Sequence, residues 1–492
     1  MTHRTERGPK TKRTISSQGG GKHIKKKKVC LFLGPVLFLL AFIPVDGWEL
    51  KVRLALGTVL WMGVWWVTMP VSPAITAFLP VVVNALFSLT EMASIISCYS
   101  AELIFLLAGA DLITMAWEAT GVDKRIAAHG LALVGTSVKQ QVLVWFLMAT
   151  LLSAVLPNTV VAAVLCSIAI SMLRFVGEGD VKNSRTASLV LMAIVWGANN
   201  GGMITPLGGA MNLVTVSYIE SYTGREFIYT DWVIKMLPFA AAVTLITAVF
   251  LLLIKSDKKT LDGSKAYFKE LCSSFPRLSR AGRVSLSIFV AAAALAFTRQ
   301  LFQGVLPGLK PGFVFLIGGL LMFFLKDERG EPVITWEKAE KNLMWGLFFL
   351  FAGGTALGAL VNGSGAAEVF AELVSKVHMK SEFVLILIIV TLNVVLSDII
   401  NNTACAAVTI PIVIGIAQGL ELPVIPYLWI ATVSYNLSFS LPTSIRAIPI
   451  GYGLDPGLMF KKGVVLTAVM ILAVSAIGWL CVSYWPSFGV LS

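Results

Sequence analysis

Two short polar runs, Pro157-Asn158-Thr159 and Asn401-Asn402-Thr403, stand in otherwise apolar surroundings. Their amide and hydroxyl groups can donate to a carboxylate and also offer oxygen to a cation. A shift of 244 residues carries Asn158 onto Asn402, Ser153 onto Ser397 and the pair Ala162-Ala163 onto Ala406-Ala407. The same shift carries 103–109 onto 347–353 and Gly121 onto Gly365. One offset serving separated stretches marks an internal repeat with a polar break at the same place in each half. In a membrane chain that pattern points to a substrate site.

A second broken stretch is duplicated. The run 199–209, Asn-Asn-Gly-Gly-Met-Ile-Thr-Pro-Leu-Gly-Gly, is too rich in Gly and Pro for continuous helix. The run 436–444 repeats its Asn-to-Pro spacing at an offset of 236, so an indel separates the two motifs in one half. Unwound backbone exposes carbonyls that coordinate Na⁺, and the half-helix that follows presents free N–H groups.

These breaks must be held by elements that cross a bilayer. Hydrophobic residues make up 57% of the 492 positions and charged residues 13%, against about 25% charged in a soluble domain. Mean hydropathy is +0.82. Stretches such as 230–254, 284–301 and 463–482 are long or apolar enough to span. The expected architecture is an all-α polytopic membrane protein with about eleven crossings and two re-entrant hairpins. Each hairpin tip must line an enclosed polar cavity, because a turn exposed to hydrocarbon would strand backbone hydrogen-bonding groups. A tip at a helix start also offers the positive end of the helix dipole to an anion. Taken singly, Asn158 and Asn402 could equally be helix caps or interhelical glue. The duplication favours the binding reading.

Net charge is +12, and residues 1–28 hold ten Lys/Arg against one Glu. This reads as a cytoplasmic tail touching anionic lipid, not as a nucleic-acid-binding segment. With the N-terminus inside, the loop 255–283, with eight basic and three acidic residues, falls on the cytoplasmic side after six crossings. The clusters in 326–341 and Lys461-Lys462 fall on the same side, and the uncharged C-terminus falls outside. Lys51 and Arg53 run against this bias. Five crossings between equivalent points turn the second half upside down, which makes the repeat inverted. The expected location is the plasma (inner) membrane, with an extracellular or periplasmic C-terminus.

The six Cys have no paired spacing, the four His are scattered, and neither a phosphate-binding glycine loop nor a nucleophile–base signature occurs. An ATPase, a hydrolase or another enzyme is therefore not expected.

The Asn-Thr pairs followed by small residues, together with Gly201-Gly202 through Gly208 to Asn212, resemble the divalent anion:sodium symporter family of dicarboxylate, citrate and sulfate transporters. The resemblance covers nearly the whole chain beyond the basic tail. It implies a homodimer whose protomers each hold a scaffold domain and an elevator-type transport domain, carrying a small di- or tricarboxylate, most simply a C4-dicarboxylate, with Na⁺. It places Na⁺ at Ser153, Asn158 and Gly208 and at Ser397, Asn402 and Pro442. It places substrate at Asn158, Thr159, Gly209, Asn402, Thr403, Thr443 and Ser444, with Arg446 as a further candidate. The chain departs from the family pattern where Pro157 and Asn401 stand in place of the leading Ser of each tip.

The corresponding domain plan is a basic tail at 1–28, scaffold helices at 29–100 and a first repeat at 101–255. That repeat holds a hairpin at about 140–175 and a broken helix at about 186–220. A cytoplasmic loop at 256–283 and scaffold helices at 284–345 follow. The second repeat spans 346–485, with a hairpin at about 382–420 and a broken helix at about 424–450, and 486–492 forms an outer tail.

Arg446 is the residue of greatest consequence, because an Arg at membrane depth is expensive. Three roles are open to it: pairing with a substrate carboxylate, replacing a Na⁺ and so favouring exchange, or pairing with Asp398. Asp398 itself is expected to be structural, and Asp111 to make an interhelical contact. Sulfate or citrate as cargo, Na⁺-independent anion exchange and an anion channel are the rival readings.

Overall fold

The computed structural model describes residues 20–132, 135–376 and 381–491, so the basic tail lies outside the described residues up to residue 19. Among the described residues the chain is helical and forms no strand, only isolated bridges such as Ser137 with Thr260. Nine of these helices are long and apolar enough to cross a membrane. Three of the nine, Asn158–Phe175, Glu382–Ile399 and Asn402–Gly419, are hairpin arms, each of 18 residues. At 1.5 Å per residue an arm reaches about 27 Å, far enough to set its apex deep in the molecule. The other six, with the shorter apolar segments Val29–Phe42, Pro73–Phe87 and Pro311–Phe324 and two broken segments, give eleven candidate traverses among the described residues.

The hairpins open toward opposite faces. Helix Tyr229–Leu253 gives the frame: Lys235 near its start donates to the Ser487 carbonyl, and its end leads into the basic loop. The first hairpin, Val138–Ser153 and Asn158–Phe175, opens on the loop face. There Val138 N donates to Lys259 O at 3.0 Å, and Phe175 meets Tyr267 at 5.4 Å between ring centroids. The second hairpin opens on the Ser487 face, where Tyr427 Oη donates to Glu382 Oε1 at 2.7 Å and Pro426 packs on Gly489. Arg185, Lys255 and Lys462 line one surface cavity, so the long loop and the Lys461-Lys462 pair share a face.

The two broken segments cross between the hairpins. Helix Arg185–Gly201 ends at Gly202, and the chain restarts at Pro206–Gly208 and then at Ala210–Thr223. Pro206 lacks an N–H and cannot continue the ladder. Thr205 caps the short turn by accepting from Leu207 N at 3.2 Å. The second segment runs Val424–Tyr435, then an unwound stretch, then Ser444–Arg446 and Ala447–Gly451. Ser444 sits at φ +52°, a left-handed conformation that costs a non-glycine residue roughly 1–2 kcal/mol.

Small residues let the flanking helices close in. A Cβ on Gly109 of Glu102–Thr120 would run into the Phe315 backbone, and one on Gly353 of Trp345–Gly363 would run into Ala77. These two helices therefore pack on the 311–324 and 73–87 elements, and Gly354 lets Trp345–Gly363 also close on Ala407 of the second hairpin's returning arm.

Candidate functional site

At the first tip, helix Val138–Ser153 ends, Pro157 holds the cap position without a side-chain cap bond, and Asn158 opens the returning helix. Ser153 Oγ donates to Asn158 Oδ1 at 2.7 Å. Thr205 of the broken segment donates to the Ala154 carbonyl and ties the unwound stretch to the tip. A Cβ on Gly208 would lie 2.6 Å from Gly202 O and 2.8 Å from Ser153 O, and one on Gly202 would lie 2.5 Å from Asn158 Nδ2. Only glycine permits this approach. Asn212 holds the unwound chain from below, donating to Gly202 O at 2.6 Å and Thr205 O at 2.9 Å. Ser153, Asn158 and Gly208 are thus brought together, among neutral oxygens of the hard kind that suit Na⁺.

The second tip differs in its cap. Asn401 Oδ1 accepts from Ala404 N at 2.8 Å and starts helix Asn402–Gly419. Asn402 faces the broken segments, accepting from Ser438 Oγ at 3.2 Å and donating to Asn199 Oδ1 at 3.3 Å. Asn199 Nδ2 also donates to Ser438 O at 3.2 Å, and Asn436 Nδ2 donates to Asn212 Oδ1 at 3.3 Å. Buried amides from each repeat therefore bond into the other.

One cavity of about 510 Å³ receives both tips. Pro157, Asn158, Thr159 and Gly209 line it from the first repeat, and Asn401, Asn402, Thr403 and Ser444 from the second. The opposite wall is largely apolar (Leu106, Phe289, Phe315) with Asp111 its one carboxylate, and the lining extends to Met344 and Gly346, next to the charged stretch 326–341. The volume lies inside the usual range for small-molecule sites, about 300–1,000 Å³. Asp111 is 6% exposed and accepts from Met344 N at 3.3 Å.

Of the substrate residues expected from the sequence, Thr443 and Arg446 do not line this cavity. Arg446 is fully buried and turned toward the back of the second tip. Its Nε donates to Leu441 O at 2.5 Å, and its Nη2 donates to Thr443 Oγ1 at 2.6 Å, Asp398 O at 3.1 Å and Ser397 O at 3.4 Å. The same Nη2 lies 3.4 Å from Asp398 Oδ1, which accepts from Ser440 N at 3.1 Å. Ser397 meets Arg446 through its carbonyl, while its hydroxyl donates locally to Val394 O at 3.1 Å. Pro442 sits in the turn between Leu441 and Thr443. Sequence reasoning missed that Asp111 faces the cavity, and it missed Ser438 as the partner of Asn402. A lone carboxylate in an apolar helix carries no spacing signal, and the Ser438 bond exists only once the repeats meet.

The profile of the citrate transporter family matches residues 63–434. The sodium-dependent dicarboxylate transporter SdcS of Staphylococcus saprophyticus is 27% identical over 86% of this chain and 85% of its own length. SdcS of Staphylococcus aureus is 26% identical over 87% of each chain. In fold the chain is similar to the crystal structure of the Alcanivorax borkumensis YdaH transporter. The TM-score is 0.54 at 14% identity, covering 80% of this chain and 88% of that one. The profile takes in both tips and the first unwound stretch and ends just before the second, so the chain belongs to the citrate transporter family, a multi-pass membrane carrier of the divalent anion:sodium symporter kind that its tip motifs resemble.

Proposed function

We propose that this chain is a secondary active carrier that moves a small dicarboxylate, most simply a C4-dicarboxylate, together with Na⁺. The observation that carries the reading is that Asn158-Thr159 and Asn402-Thr403, on hairpins entering from opposite faces, line one cavity. Amide and hydroxyl donors at two helix starts satisfy two carboxylates, one at each tip. Na⁺ at Ser153, Asn158 and Gly208 supplies positive charge where a dianion would otherwise be buried uncompensated. The names of the staphylococcal relatives, sodium-dependent dicarboxylate transporters, support both the cargo and the coupling ion.

Transport proceeds by alternating access. The hairpins, the broken segments and the helices Tyr229–Leu253 and Pro456–Tyr484 move as one block against a scaffold built from 29–100 and 284–345. The working unit is a homodimer, the scaffold facing its partner, with the N-terminus cytoplasmic and the C-terminus outside.

Purified protein in liposomes should take up labelled succinate when an inward Na⁺ gradient is imposed and not when choline replaces Na⁺. The second reading, Na⁺-independent exchange, is favoured by the buried Arg446. It would be signalled by uptake that ignores Na⁺ and needs internal dicarboxylate. Competition by citrate or sulfate at equal concentration would shift the cargo assignment.

A further inference from the structure

The internal repeat allows each atom around Arg446 to be compared with its counterpart. At the 244 offset, Ser397 and Asp398 correspond to Ser153 and Ala154. At the 236 offset, Leu441, Thr443 and Arg446 correspond to Thr205, Leu207 and Ala210. A similar tie recurs in both halves, made by threonines that are not counterparts at the 236 offset. A threonine hydroxyl of each unwound stretch ties a tip carbonyl: Thr205 donates to Ala154 O, and Thr443 Oγ1 donates to Asp398 O at 2.9 Å. The first half places methyl groups, Ala154 and Ala210, where the second half places Asp398 and Arg446. The guanidinium fills the space behind the second tip and binds the carbonyls of Ser397, Asp398 and Leu441. Behind the first tip the counterpart position is empty of any cationic side chain, and the carbonyls of Ser153 and Gly202 close on Gly208.

We infer that Arg446 is a built-in cation for the second tip, so that the protomer takes up a single Na⁺, at the first tip only. This rests on the reading of the tips as a cation-coupled anion site. The geometry also fixes the charge. Asp398 lies 3.4 Å from the guanidinium, so the second tip carries a neutral pair, and the one free Na⁺ is the only net positive charge that arrives with the dianion. A tethered guanidinium cannot leave with the cargo. The second tip therefore carries its cation in every state of the cycle, whereas the first takes up and releases one.

The test counts sodium ions first without substrate and then through transport. Equilibrium binding of ²²Na⁺ to the purified wild type in detergent should give one ion per protomer, and the Na⁺ dependence of succinate uptake in liposomes should have a Hill coefficient near 1. Arg446→Ala exposes three carbonyls and the Asp398 carboxylate to a free cation, and should raise the count from one to two and the Hill coefficient toward 2. Arg446→Lys keeps the charge and should keep one. Two ions on the wild type, or an unchanged count in Arg446→Ala, overturns the inference. Should Arg446→Ala fail to fold, the wild-type count and Arg446→Lys still decide it. A wild type that binds no Na⁺ sinks the coupling reading and the count of one with it; a gain of one ion in Arg446→Ala would then still support the guanidinium as a built-in cation, and no gain would overturn that as well.

Discussion

Asn158 and Asn402 each open a helix at the cavity wall, yet they are held differently. Asn158 is bonded within its own hairpin by Ser153, whereas Asn402 is bonded across the repeat by Ser438 and Asn199. Losing one hydrogen bond to a charged group costs about 1.5–3 kcal/mol, which is roughly 10- to 150-fold in transport efficiency. Asn158→Ala and Asn402→Ala should each lower succinate kcat/KM in liposomes by that order. Ser153→Ala should chiefly raise the Na⁺ concentration that gives half-maximal rate. Asp111 makes the opposite prediction. A carboxylate in the wall of an anion site opposes the cargo, so Asp111→Asn should lower KM for succinate severalfold, on the scale of ~1 kcal/mol; an unchanged KM would remove Asp111 from the binding energetics. The two asparagines were legible because amides in an apolar run stand out twice at one spacing. Arg446 was legible as an anomaly but not in direction, since only the folded chain shows it turned from the cavity to the tip carbonyls.

Among elements, the broken segments were readable from Gly and Pro, and the structure places the breaks where those residues fall. Pairing of the flanking helices was less so, because it depends on single glycines whose use appears only at contact. Gly353→Val should force Trp345–Gly363 off Ala77 at about 1–3 kcal/mol, seen as a lower melting temperature in detergent. The corner where the first hairpin leads into the first broken segment carries a pH prediction. Partial burial raises the Glu178 carboxyl, but hydrogen bonds from Lys258 and Ser184 outweigh it and hold it below the usual carboxylate range. A depressed carboxylate stabilises the fold above its unfolded pKa, about 4.3, and that contribution is lost as pH falls through the folded value. Glu178→Gln should therefore lower the melting temperature at pH 7, and the difference from wild type should shrink only as pH falls below the usual carboxylate range.

For the molecule as a whole, the inverted repeat was legible from one offset and a count of crossings, and the opposed hairpins agree with it. Which residues lace the halves together was not legible, because such bonds join positions more than 200 apart in sequence. Orientation gives a direct measurement. In a background with the six native cysteines replaced, Ser273→Cys should react with an impermeant maleimide only from the cytoplasmic side and Ser487→Cys only from outside. The reverse labelling would turn the protein over in the membrane. The amide lacing has a mechanical corollary. Because Asn199 reaches from one half into the other and Asn436 reaches back, neither apex can loosen without tugging on its counterpart. Damage to both should then cost less than the two separate losses combined, and a sodium ion lodged at one apex should be felt as tighter cargo grip at the far one.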